Sequence, residues 1–407
     1  MADLADRLDL DDAEGGAARP RIGRRGFLAL LAAPAPVLAQ PSPAATPTLD
    51  AGVEPDPELP VIVPSFRGAR SAAWMAEMRA EWEAFRRAYV SPEGRVVDTA
   101  GGGVSHSEGQ GSALLFAAEA GDLDTFERIL DWTRRSLSHR RDYLHSWRYL
   151  PAAATPVTDT NNATDGDILI AWALQRAAER FSRPDFARLA ARIASDIHDL
   201  CTREAGGRLL LLPGVRGFEK PDHVVLNPSY YIFPALLDFE ALVPGPQWRQ
   251  LVSDGLEICG RAAVFGRWHL PADWIEVPRQ AGAPIRLASD RPARFSWDAL
   301  RVPLNLAWAH RTEEPALKAT ASFWADPSHR GRVPAWVDLA SNQRAPYAGH
   351  AGVQAVALLA VSAREGARQV PNFPRVEQAA DYFGAALTVF ARLAWQDSRA
   401  RMLRPMV

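Results

Sequence analysis

The sequence predicts an all-α fold in which amphipathic helices enclose a ring of buried ones, an α/α barrel. Three observations carry this. From residue 74 onward the chain is a run of helical patterns with hardly any strand-like alternation. The helices are of two kinds, and the kinds alternate along the chain. Their connections alternate as well, long into one kind and short out of it.

The first kind is amphipathic with a charged outer face. Residues 74–89 carry Trp74, Met78, Trp82 and Phe85, and 123–137 carry Leu123, Phe126, Ile129, Leu130 and Leu137, spaced mostly three or four apart. Residues 184–200, 246–264, 314–325 and 375–396 belong with them. The second kind, 109–119, 165–180, 229–242, 297–310 and 350–363, is small and apolar almost all round, so it must be buried. Long connections (90–107, 138–162, 201–228, 265–295 and 326–349) lead into the buried helices, whereas the returns at 120–122, 182–183, 243–245 and 311–313 are short. If the inner helices run parallel, every long loop lies on one face. Loops beyond about 12–15 residues in a compact domain are usually functional. The pattern yields about eleven helices; a twelfth would be short, or hidden in 334–341.

Composition allows a substantial core: of 407 residues, 47% are hydrophobic and 23% charged. The net charge of -2 and the lack of a long basic run imply neither nucleic acid nor an anionic membrane as partner. Thirteen Trp fit core packing and also a protein that stacks on sugar rings.

Residues 1–39 read as an export signal, with Arg24-Arg25-Gly26-Phe27-Leu28 similar to the twin-arginine pattern and small residues before a cleavage near Ala39. The apolar run is too short and Pro-broken to span a bilayer, so no transmembrane anchor is expected after cleavage. The expected location is periplasmic or secreted. Residues 40–65 form a Pro-rich linker and 66–407 one large domain. Cys201 and Cys259 could pair after export, but both fall in or beside predicted helices, where Cys is more often simply buried. No Cys/His spacing resembles a zinc site, and neither metal nor cofactor is expected.

Three segments place acids at the long-loop ends of buried helices. Asn162-Ala163-Thr164-Asp165-Gly166-Asp167 opens one, Ser105-His106-Ser107-Glu108-Gly109-Gln110-Gly111 a second, and Phe295-Ser296-Trp297-Asp298-Ala299-Leu300-Arg301-Val302 a third. Each acid also has a purely structural reading. Ser105 and Glu108 match a capping box, Asp165 could cap its helix, and Asp298 sits where a helix dipole favours an anion. Together, however, three acids at one end of three buried helices would converge on one cleft.

These segments, in this order, resemble glycoside hydrolase family 8, whose pattern is Ala-Ser/Thr-Asp-Gly/Ala-Asp followed by Ile, Ala, Leu and an aromatic. The resemblance spans roughly residues 66 to 395. It implies an (α/α)6 barrel with a cleft at the inner-helix starts, making 66–407 a glycoside hydrolase catalytic domain. It also implies inverting hydrolysis, with Glu108 as general acid, Asp298 as general base and Asp165 under the sugar at the cleavage point, a position some descriptions call the nucleophile. Such chemistry needs one protonated and one ionised carboxyl. A helix start alone would lower the Glu108 pKa, and a nearby Asp165 would push it back up.

The candidate substrate-binding residues are Trp147, on the long connection before the Asp165 segment, Tyr230, in an Asn-Pro-Ser-Tyr run that matches the family, Trp297, beside Asp298, and Arg301, which one turn beyond Asp298 could orient a carboxylate or a sugar hydroxyl. A plain ion pair is an equally good reading of Arg301, and core packing of any one Trp. The Trp297-Asp298 pair is that of the cellulose-type subgroup, while many chitosan-cleaving members place the base elsewhere. Within the family the segments most resemble the endoglucanase that accompanies bacterial cellulose synthases, with Gly111, Pro303 and the signal type as departures. The implied partners are a β-1,4-glucan chain and the cellulose synthase machinery. The rival readings are a catalytically silent glucan-binding or assembly protein, or hydrolysis of xylan, mixed-linkage glucan or chitosan. Gly101-Gly102-Gly103 lacks the context of a phosphate loop, no Gly-x-Ser-x-Gly elbow is present, and His106 and His145 are isolated polar lining.

Overall fold

In the computed structural model the described residues are 70–402 without Arg330, and they form eleven α-helices, labelled here α1 to α11. The expected signal peptide (1–39) and linker (40–65) lie outside the described residues. Six helices make the inner ring: α2 (Ser107–Ala120), α4 (Thr164–Phe181), α6 (Phe233–Leu242), α8 (Arg301–Trp308), α10 (Ala351–Arg364) and α11 (Tyr382–Met402). Each packs on the next, and α11 returns to α2, which closes the barrel. Outside them lie α1 (Ala72–Tyr89), α3 (Leu123–Leu137), α5 (Pro184–Cys201), α7 (Gln247–Glu257) and α9 (Pro315–Trp324). The fold is an (α/α)6 barrel.

The sixth outer position explains why the sequence yields eleven helices. Between α10 and α11 the chain makes only a single 3-10 turn, Val376–Gln378, packed on α1 and α11. The missing element is therefore short, and it is not in 334–341, where Val337–Asp338 instead pairs antiparallel with Arg294–Phe295. With so little cover, α10 leaves Gln354 and Leu358 exposed one turn apart.

The sequence places 375–396 among the amphipathic outer helices, and here the structure differs. Helix α11 is buried on nearly all sides from Tyr382 to Trp395 and belongs to the inner ring. The charges that look like a solvated face are paired inside the protein. Arg392 meets Glu77 at 2.9 Å and Glu81 at 3.3 Å. Asp397 meets the buried Arg176 at 2.7 Å, and Arg176 also holds Glu119 at 2.7 Å. Buried charges persist only when paired in this way.

The long connections are not free loops. Short antiparallel pairings brace them: Ser105–His106 with Arg148–Tyr149, Thr202–Ala205 with Arg208–Leu211, and His223–Leu226 with Ile275–Pro278. Buried backbone must find hydrogen-bond partners, and these ladders supply them. Helix α8 starts later than the expected 297, because Trp297 to Leu300 form a turn held by Leu300 N–H on Ser296 O at 3.0 Å and Arg301 N–H on Asp298 O at 3.0 Å. Helix α6 likewise follows a separate 3-10 turn, Pro228–Tyr230.

Two glycines set the closest crossing in the barrel. A Cβ on Gly166 would lie 2.2 Å from Ser107 Oγ and 2.8 Å from Glu108 N, and one on Gly111 would lie 2.7 Å from Leu169 Cβ. Only glycine lets α2 and α4 approach this closely. That contact sets Glu108 beside Asp165.

Candidate active site

The structural readings do not hold: Ser105 and Glu108 form no capping box, Asp165 is not an N-cap, and Asp298 lies ahead of its helix rather than in its first turn. Helix α2 has His106 at its N-cap with no side-chain cap bond, and the Ser105 hydroxyl donates to Val96 O instead. Helix α4 begins at an uncapped Ala163, where Asp165 Oδ1 accepts only the adjacent Gly166 N–H at 2.9 Å. Asp298 precedes α8, whose N-cap is Leu300.

What joins the acids is Arg301. Its Nη1 donates to Glu108 Oε1 at 2.8 Å and to Asp165 Oδ2 at 3.0 Å, while Nη2 donates to Asp298 Oδ1 at 2.7 Å. A planar guanidinium with a fixed fork of donors can hold three carboxylates in one plane of approach, which a lysine cannot. The three acids differ in their access to the cleft: the side chain of Glu108 is 21% exposed, that of Asp298 12% and that of Asp165 2%.

One cation does not balance three carboxylates. Burial, and next the charge of Glu108, push the Asp165 carboxyl up to about 7 against the pull of Arg301. Asp165 therefore titrates in concert with its neighbours rather than as a separate residue. The Tyr230 ring lies 5.7 Å from the Arg301 guanidinium carbon. Burial, with the charges of Asp165 and Asp298 adding to it, holds its phenol well above its ordinary range, so the hydroxyl stays protonated.

The second acid of the Asp165-Gly166-Asp167 segment has another task. Residues two apart on a helix point to nearly opposite sides. Asp167 Oδ1 accepts both the backbone N–H of His145 and its ring Nδ1 at 2.9 Å, and Asp167 Oδ2 takes Asn162 Nδ2 at 3.0 Å. It therefore ties the 138–162 connection to the start of α4. His145 is thereby a strut, as a polar lining residue can be.

The expected aromatic platforms are placed unequally. Trp297 is half-buried, with its ring stacked on His350 at 4.8 Å and edge-on to Phe383 at 6.1 Å. Trp147 is 5% exposed, donates Nε1–H to Asp159 at 2.9 Å, stacks on His106 at 5.9 Å and carries Arg148 at 4.4 Å. That makes Trp147 a wall beside Glu108 rather than an open shelf. Tyr230 meets Trp274 edge-on at 6.4 Å, and Trp274 stacks on Phe218 at 6.1 Å. Sequence reasoning missed Trp274 and Phe218, which sit on long connections with no motif.

It also missed Asp273. This buried carboxylate accepts Ser296 N–H at 3.0 Å and Ala299 N–H at 2.8 Å on Oδ1, and the Ser296 hydroxyl on Oδ2. Cys201 and Cys259 are both buried free thiols, and burial raises the Cys201 pKa to about 11.

Carboxylates of unequal burial gathered by one arginine, near the starts of the inner helices of an α/α barrel, fit the chemistry of a glycoside hydrolase. Comparison with known proteins agrees. The model of the glycosyl hydrolases family 8 matches residues 61–397. A probable endoglucanase of Novacetimonas hansenii is 46% identical over 314 residues, 77% of this chain and 90% of that protein. An endoglucanase of Cellulomonas uda is 38% identical over 275 residues, 68% of this chain and 75% of its own. The solved endo-beta-1,4-glucanase CMCax of Acetobacter xylinum superposes with a TM-score of 0.75 at 44% identity, covering 80% of this chain and 99% of that one. The chain belongs to family 8 of the glycosyl hydrolases, and within it the chain is a glycoside hydrolase of the endoglucanase kind. Among the described residues no helix is long and apolar enough to cross a membrane.

Proposed function

We propose that this chain hydrolyses cellulose-type β-1,4-glucan within the chain and inverts the anomeric centre, with Glu108 as general acid and Asp298 as general base. The observation that carries the reading is the Arg301 fork, which gathers Glu108, Asp165 and Asp298 at one point. One guanidinium reaching both keeps the bound oxygens of Glu108 and Asp298 within about 8 Å, inside the roughly 9.5 Å upper limit for inversion. Glu108 faces the cleft more openly than Asp165, so it is the member that delivers the proton to the leaving oxygen. Asp298, bonded through Oδ1 to Arg301 Nη2, takes a proton from the attacking water. Asp165 lies beneath the cleavage point and keeps the pair protonated near neutral pH. Trp297, Tyr230 and Trp147 line the cleft, where flat apolar sugar faces meet aromatic rings.

The export reading completes the proposal. Residues 1–39 direct the enzyme to the periplasm or outside, where it trims glucan chains made by the cellulose synthase machinery. Support comes from the Arg24-Arg25 segment and from the likeness of the catalytic segments to that branch.

Glu108→Gln and Asp298→Asn test the roles. General acid–base assistance is typically worth 10²–10⁴-fold, about 3–5 kcal/mol of barrier. Each variant loses turnover on soluble cellulose derivatives by that order while its melting temperature stays close to the parent's. A parent protein that binds glucan with no turnover would establish the silent-binder reading, and preference for xylan, mixed-linkage glucan or chitosan in a reducing-sugar panel would replace the substrate.

A further inference from the structure

We infer that Asp273 is the positioning residue for Asp298, acting through the Ser296–Ala299 turn; this rests on the reading of Asp298 as the base. Asp298 lies in the middle of four residues whose first and last members are both bonded to the Asp273 carboxylate. Oδ1 accepts the N–H of Ser296 at 3.0 Å and that of Ala299 at 2.8 Å, and Oδ2 accepts the Ser296 hydroxyl. The clamp is itself anchored, because Asp273 N–H donates to Arg294 O at 2.8 Å, two residues before the turn.

The arrangement answers a need that the fork of Arg301 cannot meet alone. Asp298 is not on a helix: it sits on a turn ahead of α8, and Nη2 of Arg301 fixes only one of its oxygens. A base on an unsupported turn would lose the line between its free oxygen and the attacking water. Misplacing a reacting group by about 1 Å can cost on the order of 10²-fold in rate. A buried carboxylate accepts two backbone amides and one hydroxyl of the turn, so Asp298 is aimed by its main chain as well as by Arg301.

Asp273 acts through the turn rather than on the reacting atoms. It is buried, and its three bonds all run to the turn. Burial, and next the charge of Asp298, push its carboxyl up to about 7. A protonated Asp273 can keep both amide bonds on one oxygen while its O–H faces the Ser296 hydroxyl, and an asparagine side chain reproduces that pattern. The clamp therefore works through hydrogen bonds and not through charge.

The experiment compares Asp273→Ala, Asp273→Asn, Ser296→Ala and Asp298→Asn for kcat, KM and melting temperature on a soluble cellulose derivative. The expected result is that Asp273→Ala lowers kcat by about 10- to 100-fold with KM held within about threefold. Asp273→Asn restores most of that turnover, and Ser296→Ala, which removes one of the three bonds, falls between. Should Asp273→Ala fail to fold, Ser296→Ala decides, with a several-fold drop in kcat at unchanged KM expected. Parental kcat in Asp273→Ala or in Ser296→Ala, a loss confined to KM, or an Asp273→Asn variant as slow as the alanine would each overturn the inference. The base reading is checked separately: full turnover in Asp298→Asn removes that assignment, whatever the Asp273 variants do.

Discussion

Arg301 and Asp298 are three residues apart, and Nη2 of the arginine donates to the aspartate at 2.7 Å while Nη1 reaches across to two other helices. One turn of chain thus supplies both the proposed base and the group that holds it in register with the proposed acid. The three acids come from separate stretches of sequence, and this single side chain bonds to all of them.

Arg301→Lys is the first consequence. A lysine ammonium is a compact point charge and cannot span three carboxylates held by a fork. The lysine keeps the charge but gives up at least one of the three bonds, and a hydrogen bond to a charged group is worth about 1.5–3 kcal/mol. The variant is expected to melt lower than the parent and to lose about 10²-fold in kcat as Glu108 and Asp298 drift apart. Steady-state kinetics with a thermal melt reads both. Parental kcat in a folded Arg301→Lys protein would show that the fork does not set the geometry.

Gly166→Ala addresses the helix crossing. The new methyl would lie 2.2 Å from Ser107 Oγ and 2.8 Å from Glu108 N, so the start of α2 must move away from α4. Overpacking of this kind typically costs 1–3 kcal/mol. Stability and activity should fall together, because the same shift separates Glu108 from Asp165. Adding Ser107→Ala removes the Oγ contact but not those with Ser107 Cβ and Glu108 N, each at 2.8 Å, and restores only part of the loss. An unchanged melting temperature and turnover in Gly166→Ala would refute the close-approach account.

Stability should depend on pH through Asp165. Its folded pKa is raised from 3.8 to about 7, so between those values the native state binds more protons than the unfolded one. Native stability from this group is therefore lost as pH rises through that window. Asp165→Asn removes the dependence at this position. The melting temperature of the variant minus that of the parent should become more favourable on going from pH 4.5 to pH 8, a range that covers most of the window of about 4 to 7 in which the shift acts. Asp273, pushed up by the same causes to about 7, keeps part of the slope in the variant. A difference that stays constant across that range would contradict the burial argument.

Much of the fold was legible in the sequence, because helix burial leaves a composition that can be read locally. Helices such as α2 and α4 are small and apolar on every side, and they are inner helices. Helix α11 was misread for a physical reason: Arg392 and Asp397 look like a wet face, yet their partners Glu77, Glu81, Arg70 and Arg176 are distant in sequence. Only tertiary structure brings such pairs together. The acids Glu108, Asp165 and Asp298 were legible because each belongs to a motif. Arg301 could be read only as a neighbour of Asp298, since its reach to Glu108 and Asp165 spans 193 and 136 residues. Asp273 carried no signal, being one acid in a long connection with no periodicity around it. Trp147 was visible by position, but its burial against His106 and Arg148 was not.

The proposed roles of Glu108 and Asp298 meet their most direct test in the stereochemistry of the first product. Proton NMR recorded immediately after the enzyme is mixed with a soluble β-1,4-glucan oligomer follows the anomeric signals before mutarotation. Direct attack by a water held on Asp298, with Glu108 protonating the leaving oxygen on the other face, predicts that the α-anomer appears first and the β-anomer only later. If the β-anomer appears first, the reaction passes through a covalent intermediate, and the assignment of this acid and base is wrong.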